Sequence, residues 1–177
     1  MTKTLFTNIG SLVLPAAEVG VLETIQDAAF LVENGLVAWV GKAAAAPASD
    51  SVVDVQGACV IPGFVDSHAH LMFAGSREQE FEARMAGVSY SAGGIKTTVA
   101  ATRAASNSEL TINAQTLLDE ALSQGTTTVE IKTGYGLTLH DELRSLDVAS
   151  AFTDETTLLA AHVIPEEYVN NPDGYVD

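Results

Sequence analysis

Two of the four histidines, His68 and His70, lie two residues apart in the stretch FVDSHAHL, directly after an apolar run. Residues i and i+2 of a strand face the same side, so these imidazoles and the Asp66 carboxylate would point together. Neutral imidazole is the commonest metal ligand in proteins. We therefore expect His68 and His70 to supply two ligands to one metal ion. The alternative is an ordinary histidine pair, because an isolated His-x-His pattern is frequent by chance.

Two further candidates for a functional site also follow predicted strands. Tyr135 lies between two glycines just after Lys132, which ends one predicted strand, and His162 lies near the end of another. In (β/α) barrels the active site is built from the carboxyl ends of the strands. We therefore expect Tyr135 and His162 to lie on one rim with the histidine pair. Their alternatives are a turn aromatic and a loop histidine without a function.

One arginine and one further histidine need separate interpretations. Arg77 follows the histidine pair by seven residues, and its guanidinium could bind a carboxylate through two parallel hydrogen bonds. The alternative for Arg77 is a surface ion pair with Glu78 or Glu80. His140 lies near the start of a predicted helix with no partner motif around it, so we interpret it as a structural residue on a solvent face.

Residues 1–57 have the pattern of β-structure. Asn34-Gly35 between two apolar runs predicts a tight hairpin, because a type I′ turn needs positive φ at both central positions. Residues 43–50 are an alanine-rich linker. The strands predicted from apolar runs cover 12–14, 28–32, 36–41 and 51–55.

From residue 58 the pattern changes to alternating strands and helices. An apolar run over 58–65, interrupted by Pro62-Gly63, predicts one strand buried on both faces, and the lone Cys59 within it is expected to be a buried thiol. Ser106 and Glu109 have capping-box spacing and predict a helix that stops at Gly125. The remaining predicted elements are a strand over 126–132, a helix over 139–152 and a strand over 156–163. Helical spacing places Leu139, Leu143, Leu146 and Ser150 on one stripe of the second helix. This alternation predicts a parallel sheet with right-handed crossovers.

Composition excludes several classes of function. The chain has 177 residues and a net charge of −15, so a nucleic acid or an anionic membrane surface is not an expected partner. Its single cysteine rules out an internal disulfide and fits a reducing compartment. The sequence shows neither a signal peptide nor a long apolar run, and the expected location is the cytoplasm.

Five stretches, taken in order, resemble one known family. PGFVDSHAHL resembles the first barrel strand of the amidohydrolase superfamily of metal-dependent hydrolases. Four more resemble, more specifically, the imidazolonepropionase family within it: FAGSREQEFEARMAGVSY, GGIKTTVAATRAAS, TTVEIKTGYGL and AAHVIPEEY. The resemblance implies an α/β fold: the N-terminal portion of a (β/α)8 TIM-like barrel over residues 58–177. It also implies that residues 1–57 form part of a small β-sandwich.

The resemblance further implies a reaction and roles for individual residues. Members of the family hydrolyse a ring C–N bond of 4-imidazolone-5-propanoate, giving N-formimino-L-glutamate, with one zinc or iron ion. His68 and His70 match metal ligands, and Arg77 matches the arginine that binds the propanoate carboxylate. Tyr135 and His162 match residues that contact the substrate.

The resemblance also sets expectations about completeness. Tyr90 is a further pocket residue in the family pattern, and a homodimer is a possible assembly. The remaining metal ligands and a proton-shuttling acid are expected beyond Asp177, and the chain alone is expected to be inactive. Two alternatives stay open: another amidohydrolase, such as a guanine-deaminase-like or cyclic-amide hydrolase, or a non-catalytic module that lost the remaining ligands.

Overall fold

The computed structural model describes residues 2–87 and 94–176, so Tyr90 lies outside the described residues. The chain divides into two compact units, Met1–Pro62 and Gly63–Asp177, whereas the sequence placed its boundary after residue 57. No helix of the described residues is long and apolar enough to cross a membrane.

A mixed five-stranded sheet forms the described part of the first unit. Its strands are β1 (Lys3–Pro15), β2 (Leu22–Glu33), β3 (Leu36–Lys42), β4 (Ser51–Asp54) and β5 (Cys59–Val60), with a short 3₁₀ helix at Ala43–Ala45. The order is β3-β2-β1-β4, and β5 also pairs with β1. The two hairpins are antiparallel, whereas β4 and β5 run parallel to β1. Its buried apolar residues are Leu5, Ile9, Leu12, Ala28, Ala29 and Leu31.

The hairpin predicted at Asn34-Gly35 is confirmed. Both residues have positive φ, 54° and 78°, and Glu33 pairs with Leu36 across the turn. This is the backbone that a two-residue connection with the right-handed twist of a hairpin requires.

The continuous strand predicted over 58–65 is wrong, because the run is split between the two sheets. Cys59 and Val60 pair with β1, and the next strand begins only at Phe64. Between them lies Pro62, which has no N–H to donate to a ladder. The prediction that Cys59 is buried is wrong: the residue is exposed. Successive side chains of a strand point to opposite faces, and the side chain of Val60 is the one that packs against the core.

A parallel sheet and five helices make up the described part of the second unit. The strands are β6 (Phe64–Ala69), β7 (Thr126–Lys132) and β8 (Thr156–Thr157), in the order β6-β7-β8. The helices are α1 (Glu78–Met85), α2 (Ile95–Ala104), α3 (Asn107–Ser123), α4 (Leu139–Ala149) and α5 (Asp173–Val176), with a 3₁₀ helix at Glu166–Tyr168. The predicted parallel pairing is confirmed for β6–β7 and β7–β8. The sequence analysis missed α1 and α2.

Three details of this unit differ from prediction. β8 has two residues instead of eight, because the Leu159 N–H bonds to the Thr133 hydroxyl instead of continuing the ladder. Val65 of β6 is 68% exposed, since β6 pairs only with β7 among the described residues. The buried face of α4 is not the predicted leucine stripe; it consists of Glu142, Ser145, Val148 and Ala149.

The capping box of α3 is confirmed and provides a test of local stability. The Ser106 hydroxyl accepts from the Glu109 N–H at 3.2 Å, and the Glu109 carboxylate accepts from the Ser106 N–H at 2.7 Å. Ser106→Ala should lower the free energy of unfolding by about 1 kcal/mol, measured by urea denaturation. Thr116→Ala on the exposed face of the same helix is the control. Equal effects of both changes would contradict a specific role of the cap.

Candidate active site

Four aromatic side chains meet at the carboxyl ends of β6 and β7. The ring centroids of His68 and His70 are 5.2 Å apart, as residues two apart on a strand allow. His162 stacks on His70 at 4.6 Å, and Tyr135 lies 5.6 Å from His70 and 5.7 Å from His162. The structure thus brings together four of the five residues to which the sequence assigned a site role.

The His70 imidazole is the most unusual group of this cluster. Both of its nitrogens are buried, and neither makes a well-formed hydrogen bond to a described residue. Burial lowers the pKa of His70, and the neighbouring His162 and His68 lower it further. A backbone contact from Thr133, whose geometry is too poor for a hydrogen bond, opposes the change. A neutral imidazole with unused lone-pair capacity is the form that binds a metal ion.

His68 and His70 therefore fit part of a metal site. The ring of His162 is nearly parallel to that of His70, at 15°, so the nitrogen lone pairs of the two rings lie in nearly parallel planes and do not converge on one point. Asp66 accepts a hydrogen bond from the His68 backbone N–H at 3.0 Å. Among residues 2–87 and 94–176, no group of three histidine, cysteine or carboxylate side chains is placed to hold one ion. Catalytic zinc uses three protein ligands, so this part of the site is incomplete.

Lys132, at the end of β7, is engaged by a neighbouring carboxylate. Its ammonium group bonds to the side chain of Glu130, which also accepts from the Thr157 hydroxyl at 2.5 Å. These two hydrogen bonds, with Lys132 the larger cause, hold the pKa of Glu130 below its usual value. Lys132 is thus paired with Glu130 within the sheet. We therefore do not expect its ammonium group to bind an anionic substrate.

An open cleft of about 780 Å³ lies beside the aromatic cluster. His70 and Tyr135 form one part of its wall, and Arg77 forms another. This volume suits a small molecule. The cleft therefore brings the Arg77 guanidinium into one cavity with His70, the candidate metal ligand. Tyr135, which lies 58 positions after Arg77 in the sequence, lines the same cavity.

The sequence analysis missed two residues of this cleft. Phe73 lines it and contacts the Tyr135 ring edge-on, with the centroids 6.2 Å apart. Asn113, from α3, donates to the Phe73 carbonyl at 2.9 Å and so fixes the chain after β6. A lone amide on an amphipathic helix carries no sequence signal for such a role. His140, by contrast, is 84% exposed, as predicted.

Gly134 is required by the close approach of His162. A Cβ atom at Gly134 would lie 2.7 Å from His162 Nδ1, and its φ of +135° is unfavourable for other residues. Gly134→Ala should lower the free energy of unfolding by about 1–3 kcal/mol and displace the His162 ring, as urea denaturation and imidazole NMR shifts would show. Gly20→Ala is the control, because Gly20 has φ of +83° but open space around it. An unmoved His162 signal in Gly134→Ala would contradict the steric argument.

Solved structures define the class of fold. A triazine hydrolase from Arthobacter aurescens superposes with a TM-score of 0.55 at 16% identity, covering 85% of this chain and 34% of that chain. Escherichia coli guanine deaminase gives 0.54 at 19% identity, covering 85% and 33%. No family model matches the sequence. Over the matched region the chain has the fold of these two proteins.

Sequence relatives define the family more narrowly. Curated imidazolonepropionases from Salinispora tropica and Mycolicibacterium smegmatis are 58% and 55% identical over the whole chain. A third, from Streptomyces avermitilis, is 60% identical over 88% of the chain and covers 37% of that relative. The chain belongs to the imidazolonepropionase family and matches the N-terminal part of its members. It spans 45% of the length of the first two relatives.

Proposed function

We propose that this chain supplies the first part of the active site of a hydrolase that opens the ring of 4-imidazolone-5-propanoate, giving N-formimino-L-glutamate. The observation that carries the proposal is the His70 imidazole, whose two buried nitrogens make no well-formed hydrogen bond and which lines a cleft shared with Arg77 and Tyr135. The identity to curated imidazolonepropionases supports the choice of substrate.

His68 and His70 would hold one divalent ion, zinc or iron, together with ligands from the rest of the longer protein. Such an ion, when bound, supplies an activated water and polarises the ring carbonyl. The Arg77 guanidinium would pair with the propanoate carboxylate, for which its planar fork is well suited. Tyr135 and His162 would contact the ring and hold it beside His70.

The three parallel strands and the helices between them support a barrel architecture. We infer that β6, β7 and β8 are the first strands of a (β/α)8 barrel that begins at Gly63 and not at residue 58, since the candidate site lies at their carboxyl ends. The sheet of β1–β5 would be part of the flanking β-sandwich. A cytoplasmic location fits the single cysteine, and a homodimer is the assembly that we propose.

A chimera tests the function directly. Residues 1–177 would be joined to the part of the Salinispora tropica imidazolonepropionase that follows the matched region. We expect the metal-loaded chimera to consume 4-imidazolone-5-propanoate, followed by its absorbance, and chelation to abolish the activity. The 177-residue chain alone should be inactive, because its described residues do not complete a metal site.

The controls separate the proposal from its alternatives. Turnover of guanine without turnover of imidazolone propanoate would favour a guanine-deaminase-like enzyme. A chimera that folds and binds metal but acts on neither compound would favour a non-catalytic module. Consumption of the substrate by the 177-residue chain alone would contradict its expected inactivity.

A further inference from the structure

The loop that carries Tyr135 holds one non-glycine residue, Leu137, in a backbone region that favours glycine. Gly134 has φ of +135°, and Leu137, which is not a glycine, has φ of +53°. A non-glycine residue in this region is strained, and the conformation persists only where surrounding contacts hold it. The contacts that hold residues 134–137 therefore decide where the Tyr135 ring lies.

A buried carboxylate holds one side of this loop. Glu142, in the first turn of α4, is 1% exposed, and its Oε1 accepts from the N–H groups of Gly136 at 2.9 Å and Leu137 at 2.7 Å. Hydrogen bonds to a carboxylate are about twice as strong as those between neutral groups. Glu142 thus satisfies two backbone donors next to the strained residue.

A guanidinium group holds the other side. Arg103, in the last turn of α2, donates from Nε to the Gly136 carbonyl at 2.6 Å and from Nη2 to the Leu137 carbonyl at 3.3 Å. The same Nη2 is 2.9 Å from Glu167, five residues after His162. Arg103 therefore connects the Tyr135 loop to the segment that carries His162.

The two segments also touch directly. His162 Nδ1 lies 3.2 Å from the Gly134 carbonyl, at the start of the same loop. The segments that carry Tyr135 and His162 are consequently joined at two places. One is the contact between Gly134 and His162, and the other is Arg103, which binds residues 136 and 137 and Glu167. Neither Glu142 nor Arg103 lies among the four rings near the candidate metal site.

We infer that Glu142 and Arg103 are positioning residues: from opposite sides they clamp the 134–137 loop, so that Tyr135 and His162 face His70. The catalytic meaning of this clamp rests on the proposed function, but its geometric effect does not. A positioning role requires that weakening the clamp moves the rings, beyond any loss of stability.

Imidazole NMR of the metal-free 177-residue chain tests this inference. Spectra would be recorded at about pH 8, where a free imidazole is neutral. The variants are Glu142→Gln, which removes the charge, and Arg103→Lys, which keeps the charge but loses the planar fork. We expect the His162 and His70 signals to lose most of their displacement from the free-imidazole shift. The exposed His140 should keep its signal in every variant.

Arg144→Lys is the matched control for stability. Arg144 also donates to two backbone carbonyls, those of Thr102 and Ala105, but it makes no hydrogen bond to the 134–137 loop. The Arg144→Lys substitution should lower the urea midpoint as Arg103→Lys does, but it should leave the His162 signal unchanged. If His162 and His70 keep their native signals in Arg103→Lys, or if Arg144→Lys moves them equally, the inference is overturned. Should Glu142→Gln fail to fold, Arg103→Lys alone decides.

The result stands apart from the proposed function, since the spectra need neither metal nor substrate. An inactive chimera combined with moved ring signals would overturn the function and support the clamp. An active chimera combined with unmoved ring signals would support the proposed function and overturn the clamp.

Discussion

Replacing His70 by alanine should lower the affinity for zinc, and kcat/KM of the chimera, by at least about a hundredfold. Loss of a residue that merely orients a metal ligand already costs ~10–100-fold, so loss of a ligand should cost no less. The physical basis is that His70 holds two buried nitrogens that make no well-formed hydrogen bond in the described structure. Metal content and steady-state kinetics would measure the effect.

The free energy of unfolding of the metal-free chain is a second measurement that tests the His70→Ala substitution. An unsatisfied buried polar group costs about 1–3 kcal/mol, so His70→Ala should not destabilise the metal-free chain beyond the packing that it loses. Added zinc should raise the urea midpoint of the wild-type chimera but not of the His70→Ala chimera, because a ligand stabilises only the fold that binds it. His140→Ala, at an exposed position, is the control. Unchanged metal affinity in His70→Ala would remove this residue from the ligand set.

Replacing Arg77 by alanine should raise KM for 4-imidazolone-5-propanoate in the chimera by roughly ten- to a hundredfold. Hydrogen bonds to charged groups contribute about 1.5–3 kcal/mol each, and 1.4 kcal/mol corresponds to a tenfold change in binding. Arg77 lines the cleft with His70 and Tyr135, where the propanoate of a ring bound at His70 could reach it. Arg77→Lys should lie between the alanine variant and the wild type, because an ammonium group keeps the charge but not the fork.

A neutral analogue of the substrate makes this prediction specific. If the carboxylate is replaced by an uncharged amide, Arg77→Ala should change KM little, because the interaction that it removes is absent. Lys96→Ala tests for a general effect of positive charge, since Lys96 is exposed and pairs with Glu166 away from the cleft. An equal rise of KM for the charged and the neutral compounds would show that Arg77 acts through the fold and not through the carboxylate.

The elements that the sequence predicted well are those decided by neighbours along the chain. The Asn34-Gly35 hairpin and the capping box of Ser106 depend on contacts within three or four residues, and both are confirmed. The closeness of His68 and His70 follows from the two-residue period of a strand. The strand over 126–132 was predicted with its observed bounds, because β-branched residues fill it.

The burial of side chains that depends on contacts between distant parts of the chain was predicted poorly. Apolar spacing placed leucines on the inner face of α4, whereas the tertiary structure buries Glu142 there, because strained loop N–H groups need an acceptor. An apolar run predicted Cys59 to be buried, but pairing with β1 turned it outward.

The sequence by itself determined the residue types of the candidate site and the strand ends at which they lie. Only the tertiary structure decided that His162 stacks on His70 and that Arg77 shares a cleft with Tyr135. It also decided that Arg103 reaches a loop more than 30 residues away along the chain. The physical reason is that a local pattern fixes φ, ψ and the side of an element, whereas hydrogen bonds and packing across the sheet select which distant groups meet.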